Sequence, residues 1–583
     1  MSIFANTKTL PIPPFHKRFN GVIGRPALIA GAVAFALVLG GGGNAFAKGG
    51  GGTATPPPGA TAPFVTPTLP DPVFANPTAI HQFDVIGFIQ NMTLDTSNAG
   101  CPNTSNPGRF GGTVQLNGVT YTVPCNTVIQ MPANTLTWAE FVHGGSLALS
   151  KVPPAYPSFE IHVVGNNVGA KHIAGLIFVS QQAANAGSGY ITRIDYTKGN
   201  IEVDSGNPLQ PTIIQINDPN GRFGRAQSPD PRFSVDDANP TIHAATGYPM
   251  CVPRTAAGND ALCPEKNRPK VVTSTTTNNC RNFSQAGVAP PKSGELSPPI
   301  AGQLYCSQYV MKRFSDATRT ATDPDPTQQA PFEVGDFIIY NGTLMKSATA
   351  GAPDYISAHT IEASVGIYTQ PGTQPSYLSI GGFGVGTADP AATAINGFAQ
   401  ETQNRIFLET STTDVKTPVD IYLIDVDPST GAQTNRWVTP FEMTGECPFA
   451  GAVGCFGATG GITTQNTGPQ PQRARLRATK APFGLLSQPT RTLRVMVRSL
   501  CVPTPTASQT VVDNCLQNAS RQTVANGLIA GQYVAPVFEF IFPENVKPGD
   551  PIVPNDFWHL PFLRNGEGKS TPTGVGPLEP TPW

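Results

Sequence analysis

Charge is what this sequence has least of. Lys, Arg, Asp and Glu make up 13% of its 583 residues, about half of ordinary usage. No basic run breaks the pattern, so the footprint of a polyanion-binding protein is missing and nucleic acid is not expected as a partner. Tryptophan is also scarce. Trp138, Trp437, Trp558 and Trp583 stand far apart, which leaves no stacking platform for a ligand legible from spacing. The sequence has no G-x-S-x-G elbow, no H-E-x-x-H helix, no Walker loop and no C-x-x-C-H haem site, which disfavours the common motif-bearing enzymes. A catalytic set scattered through the chain stays open, because such sets are defined by geometry and not by sequence position. Without C-x-x-C knuckles zinc is not expected, and no cofactor is predicted.

What the N-terminus does contain is an export signal. Lys8, Lys17, Arg18 and Arg25 precede an apolar run from Pro26 to Leu39, and Ala45 and Ala47 supply an A-x-A pair before Lys48. This order predicts a signal peptide over 1–47, cleaved after Ala47. The apolar run is too short for a membrane span, and no later segment is long and apolar enough for one. Cleavage would remove four of the 37 basic residues and none of the 38 acidic ones, leaving a net charge of −5. The expected locations are secreted, periplasmic or cell surface, with no membrane insertion after cleavage.

Gly and Pro, 60 of each, interrupt helical hydrogen bonding every few residues and suit short strands joined by turns. The fold class expected is all-β. Ten cysteines lie in neighbouring twos, which in an oxidising compartment predicts the pairs Cys101–Cys125, Cys251–Cys263, Cys280–Cys306, Cys447–Cys455 and Cys501–Cys515. Spacing alone does not select this connectivity.

Residues 48–77 read as a flexible Gly/Pro-rich leader. Over 78–216, short alternating runs carry hairpin signals at Asn117-Gly118 and at Lys198-Gly199-Asn200. Over 332–400, FEVGDFIIYNGTLMKS reads as a strand, a corner and an Asn-Gly turn at Asn341-Gly342. Together with GGTVQLNGVTYTV and GYITRIDYTKGNIEVD, this wording resembles the small OB-like barrel modules of secreted bacterial proteins. The resemblance implies barrels at 78–216 and 332–400 and no activity. Between them, 217–331 reads as a disulfide-braced, loop-rich insertion. Longer alternating strands from 401 to 545 suggest an immunoglobulin-like sandwich, and 546–583 a proline-rich tail.

Three places could carry chemistry. Asp218, Arg222, Arg225, Asp230, Arg232, Asp236, Asp237 and His243 form the densest polar cluster, with Asp236, Asp237 and His243 the candidate acid–base or metal set. In the alternative, the Asp and Arg side chains satisfy one another while holding a loop. His162 and His172 flank a Gly-Asn-Asn and could converge on a metal across a hairpin, and Asp323 and Asp325 offer two carboxylates to calcium. Gly381–Gly386 reads as a flexible connector, and Asp425–Gly431 as a hairpin turn. The preferred expectation is a non-enzymatic scaffold or binding protein of the envelope or extracellular space, adhesive or matrix-associated, whose partner is an extracellular polymer or an envelope protein. The rivals are a secreted hydrolase or polysaccharide-active enzyme using Asp218–His243, and a periplasmic metal-binding protein.

Overall fold

The computed structural model describes residues 81–541 apart from intervening segments, the longest of which are 97–109, 281–303, 387–405, 439–472 and 498–526. The expected signal peptide, leader and tail lie outside the described residues. Within them the chain is mostly β, arranged in several sheets with one small closed barrel.

The first assembly contains β1 (His81–Phe88), β2 (Asn91–Leu94), β3 (Gly112–Leu116), β4 (Val119–Val123), β5 (Val128–Gln130), β6 (Thr135–Thr137), helix α1 (Trp138–His143), β7 (Glu160–Val168) and β8 (Lys171–Val179). Its sheet runs β1-β7-β8-β4-β3-β2, with β5 on β8 and β6 on β5. The hairpin expected at Asn117-Gly118 joins β3 to β4, with both residues at positive φ as a tight turn of this type needs. Helix α1 opens on a capping box between Thr137 and Glu140. It buries Trp138 completely, and the indole donates to Thr93 O at 2.9 Å.

The barrel contains β9 (Asn185–Asp195), β10 (Asn200–Val203) and β11 (Thr212–Ile216). After these the chain makes β12 (Ile242–Ala244), β13 (Met250–Cys251), β14 (Gln308–Met311) and β15 (Ala330–Pro331), then β16 (Phe337–Met345), β17 (Tyr355–Ala363) and β18 (Gly366–Thr369). The ring is β9-β10-β11-β17-β16 and back to β9, antiparallel throughout except for the parallel pair β11–β17, in which Ile214 faces Ile356. Strands from the expected modules 78–216 and 332–400 thus share one barrel. A parallel pair cannot be joined by a tight hairpin and needs a long crossover, and residues 217–336 lie within that crossover. Its strand β12 runs parallel to β17 along Ile361–Ala363, and β13 pairs with β15. The barrel core gathers Ile191, Ile201, Ile214, Ile338, Ile361 and Phe332, all essentially buried.

Two local expectations are corrected here. Asn341-Gly342 is not a turn: β16 passes straight through it with a bulge in its register to β17. A Cβ on Gly342 would lie 2.4 Å from Ser357 O, so the glycine serves close strand approach. Gly381–Gly386 is not a connector but the second half of strand β19 (Leu378–Gly386), held by its neighbours on both sides.

The third assembly consists of β19, β20 (Ile406–Thr412), β21 (Val419–Val426), β22 (Gln433–Val438), β23 (Arg473–Ala478), β24 (Thr490–Val497), β25 (Gln532–Pro536) and β26 (Glu539–Ile541). They form two four-stranded sheets, β23-β20-β19-β26 and β22-β21-β24-β25. Val426 faces Gln433 in the antiparallel pair β21–β22, and most of the turn expected at Asp425–Gly431 lies outside the described residues.

Candidate functional site

The Asp218–His243 cluster is a structural joint. Asp230 caps the 3-10 turn Pro231–Phe233, and its carboxylate takes two hydrogen bonds from the Arg232 guanidinium, at 3.0 and 2.7 Å. The same guanidinium donates to Phe141 O at 2.9 Å and Leu147 O at 2.8 Å, while Leu147 N donates to Asp230 Oδ2 at 3.0 Å. Both side chains are buried. Phe233, on the same turn, enters the core of the first assembly against Phe159, with ring centroids 5.0 Å apart. Asp218 accepts from the amides of Asn220 and Phe223, Arg222 donates to Asp236 O, and Arg225 donates to Tyr196 O and Arg254 O.

Asp236 and His243 hydrogen-bond to different partners. Asp236 Oδ2 accepts from Asn239 at 2.8 Å. His243 is buried on β12 with Nδ1 toward Ala244 O at 2.7 Å, and burial lowers its proton affinity, an effect that the Ala244 carbonyl partly offsets. Asp237 lies outside the described residues.

The other candidates are likewise engaged locally. His162 faces Phe178 across the β7–β8 hairpin and bonds Asp84 Oδ1 at 2.7 Å, whereas His172 faces Asn167. His172 bonds the Asn167 side chain and packs its ring against Phe83 and Tyr121, so the register sets the two histidines at different levels of the hairpin. Asp323 accepts from Thr320 and pairs with Lys312 at 3.3 Å, and Asp325 accepts from the amide and hydroxyl of Thr327. Among the described residues no group of three or more His, Cys, Asp or Glu gathers in a way that could hold a metal. Two expected disulfides are formed, Cys251–Cys263 and Cys280–Cys306, and Cys125 is also disulfide-bonded, to a partner outside the described residues. The remaining cysteines, Cys101, Cys447, Cys455, Cys501 and Cys515, lie outside the described residues.

A different cluster has the electrostatics of a site. The turn Glu333-Val334-Gly335-Asp336 is tied to β9 by Ile191 N to Asp336 O and Gly335 N to Ile191 O, both 2.8 Å. Gly335 adopts a φ of 96° that a side chain would resist. Asp336 holds Arg268 through two hydrogen bonds of 2.6 and 2.8 Å, with both side chains buried. Beside them, Lys270 pairs with Glu265 at 3.0 Å, and the Tyr305 ring lies within 6 Å of both cations, 5.9 Å from Arg268 and 5.7 Å from Lys270.

These two pairs leave over the carboxylate of Glu333. Its residue is 8% exposed. Burial pushes its pKa up to about 7; Arg268 and Lys270 pull down, while Asp336 and Glu265 add to the rise. Burial, and then the charge of Glu333, also raises Tyr196 and Tyr305. Leu304 and Val334, 70% and 54% exposed, stand beside Tyr305 and Glu333 in the chain.

No protein-family model matches the chain, and neither a curated protein nor a solved structure is significantly similar to it. What the site can do therefore rests on its own geometry. Sequence reasoning passed over Glu333 because a single Glu in FEVGD carries no motif. Its environment is assembled from segments near 196, 268, 305 and 333, which no spacing rule connects.

Proposed function

We propose that the chain is an exported, non-enzymatic scaffold or binding protein of the cell envelope or extracellular space, adhesive or matrix-associated, with an extracellular polymer or envelope protein as partner. One observation carries this reading: the polar cluster of the crossover is committed to holding β-assemblies together. Arg232 and Asp230 fasten it to the first assembly. Asn239 exchanges hydrogen bonds with both backbone groups of Val534 in the third. Tyr377, at the start of the third, donates to Pro326 O at 3.0 Å and meets Tyr248 edge to face, with ring centroids 4.7 Å apart. Side chains arranged this way maintain a rigid array of β-surfaces, as load-bearing or partner-presenting proteins require.

The finer architecture belongs to the same proposal. An OB-like barrel is supported by the ring order, in which the first, second, third, fifth and fourth strands follow one another, with the third and fifth parallel. An immunoglobulin-like sandwich is supported by the split of seven successive strands, β19, β20 and β23 on one sheet and β21, β22, β24 and β25 on the other. Export accords with the signal-like N-terminus and with formed disulfides, which persist in oxidising compartments. Fold likeness of this kind suggests architecture and not activity.

A glycan and matrix-polymer binding array, read together with product analysis, tests the function. Retention of a polymer without any change in its length or linkage is the expected result, and steady release of product would overturn it. N-terminal sequencing of the exported protein tests the address, with Lys48 as the expected first residue.

A further inference from the structure

We propose that the outer face of the barrel along β9 and β16 binds a neutral polysaccharide, with the Tyr190 and Phe337 rings as its stacking wall and the strip of Ser188 and Ala186 beside them as its floor. The inference rests on the binding reading above and names the chemical class of the polymer partner.

Alternation along the strands fixes which side chains reach this face. Ile191, Ile338 and Tyr340 belong to the barrel core, which turns Ala186, Ser188 and Tyr190 of β9 outward, together with Phe337, Ile339 and Asn341 of β16. A Cβ on Gly187 would lie 2.2 Å from the Tyr340 hydroxyl, so the inward side of β9 is filled at this level. Register sets the outward residues in three cross-strand pairs, Tyr190 with Phe337, Ser188 with Ile339, and Ala186 with Asn341. The three members on β9 are all exposed, Tyr190 by 44%.

Two observations point to a sugar. Phe337 braces the Tyr190 ring edge to face, with centroids 5.2 Å apart and planes at 72°, so an exposed ring is held in one orientation. Such a ring offers an apolar face to the C–H face of a pyranose, while the neighbouring Ser188 hydroxyl can exchange hydrogen bonds with the sugar's rim. At the far end of the strip, Asn341 is 4% exposed, and its Oδ1 has no hydrogen-bond partner among the described residues. That acceptor lies about one strand spacing, ~5 Å, from the exposed Ala186. Buried acceptors are nearly always satisfied, and a ligand rich in hydroxyls, lying along the strip, brings donors to it through water.

Charge and shape narrow the class further. Strand β16 carries no charged residue, and Arg193, the only cation of β9, is paired with Glu202 and Asp195. An acidic glycan would find no uncommitted cation on these two strands. A peptide laid over the sheet would need a row of apolar anchors, whereas beyond the two rings the exposed strip is Ser188 and Ala186.

The test is affinity electrophoresis of the full chain in gels that contain laminarin, hydroxyethylcellulose, dextran or the acidic polygalacturonate, with β-casein as an extended polypeptide probe. At least one of the three neutral polymers should retard the protein, and polygalacturonate should not. Tyr190→Ala should weaken retardation about tenfold or more, the loss of one stacked ring, and Tyr190→Phe should stay within about threefold of the parent. Ser188→Arg changes an exposed side chain, so it leaves the fold intact, and by laying a long chain across the strip it should also weaken binding about tenfold. Retardation by polygalacturonate alone, or β-casein binding that depends on Tyr190 without retardation by a neutral polymer, would overturn the proposal. So would the absence of retardation by all three neutral polymers. Release of shortened polymer alongside retention that depends on Tyr190 would sink the scaffold reading alone. Retention of a neutral polymer that Tyr190→Ala and Ser188→Arg both leave unchanged would sink this inference alone.

Discussion

Arg232 and Asp230 form a doubly hydrogen-bonded ion pair with both side chains almost wholly buried, and the guanidinium reaches across to two carbonyls of the first β-assembly. Removing one member of such a pair strands the other charge in the interior, which costs about 3–5 kcal/mol. Arg232→Met should therefore destabilise the protein by about that amount in guanidinium denaturation. The double variant Arg232→Met with Asp230→Leu should recover a large part of the loss, because apolar packing can substitute for a buried pair but not for half of one.

Two buried groups should give stability opposite pH dependences. His359, fully buried on β17, has a pKa lowered by burial to about 4. The unfolded chain takes up a proton near pH 6.5 that the folded chain refuses until near 4, so stability falls as pH drops through this window. The loss approaches ~3 kcal/mol, and His359→Gln should flatten it. The opposite sign applies to Glu333, whose folded pKa is raised to about 7. Its contribution is complete below about 4.5 and is lost as pH rises through 7. Glu333→Gln should thus stabilise the protein at pH 8 by up to ~3 kcal/mol and have little effect at pH 4. Denaturation curves at pH 4, 6 and 8 for the three proteins check both signs.

Gly112 and Gly118 sit six residues apart and should respond to alanine for different reasons. A Cβ on Gly112 would lie 2.0 Å from Thr93 O and 2.6 Å from the Trp138 indole nitrogen, so strand β2 or helix α1 must move. Gly118 has open space around it, and only its φ of 79° resists substitution. Gly118→Ala should cost about 1 kcal/mol, and Gly112→Ala clearly more, with altered tryptophan fluorescence as its signature.

Cys251–Cys263 and Cys280–Cys306 join positions 12 and 26 apart in the crossover. Replacing either pair by serines should cost about 2–4 kcal/mol. Non-reducing peptide mapping should return these two pairs. A crossed pairing among the four cysteines would contradict the structure.

The local grammar of this fold was legible in its sequence, and its long-range joints were not. Asn117-Gly118 reads correctly as a hairpin because both residues take the positive φ that the turn demands. The same dipeptide at Asn341-Gly342 lies inside β16, where the approach of Ser357 O decides its role. Compensation between Asp and Arg in the crossover could be anticipated, but Arg232 finds its carbonyl partners 91 and 85 residues away. Barrel closure across 217–336 depends on the parallel register of Ile214 with Ile356, which alternation alone cannot reveal. Glu333 gave no signal, because its unusual state is made by burial and by neighbours drawn from distant segments.

The central claim, that the crossover is a joint fastened to the first β-assembly, is tested most directly by hydrogen exchange on the full chain with and without Asp230→Asn. Loss of amide protection should spread from Phe233 into α1 and β7 of the first assembly, while β9, β10 and β16 of the barrel stay protected. Unchanged exchange in α1 and β7 would contradict it.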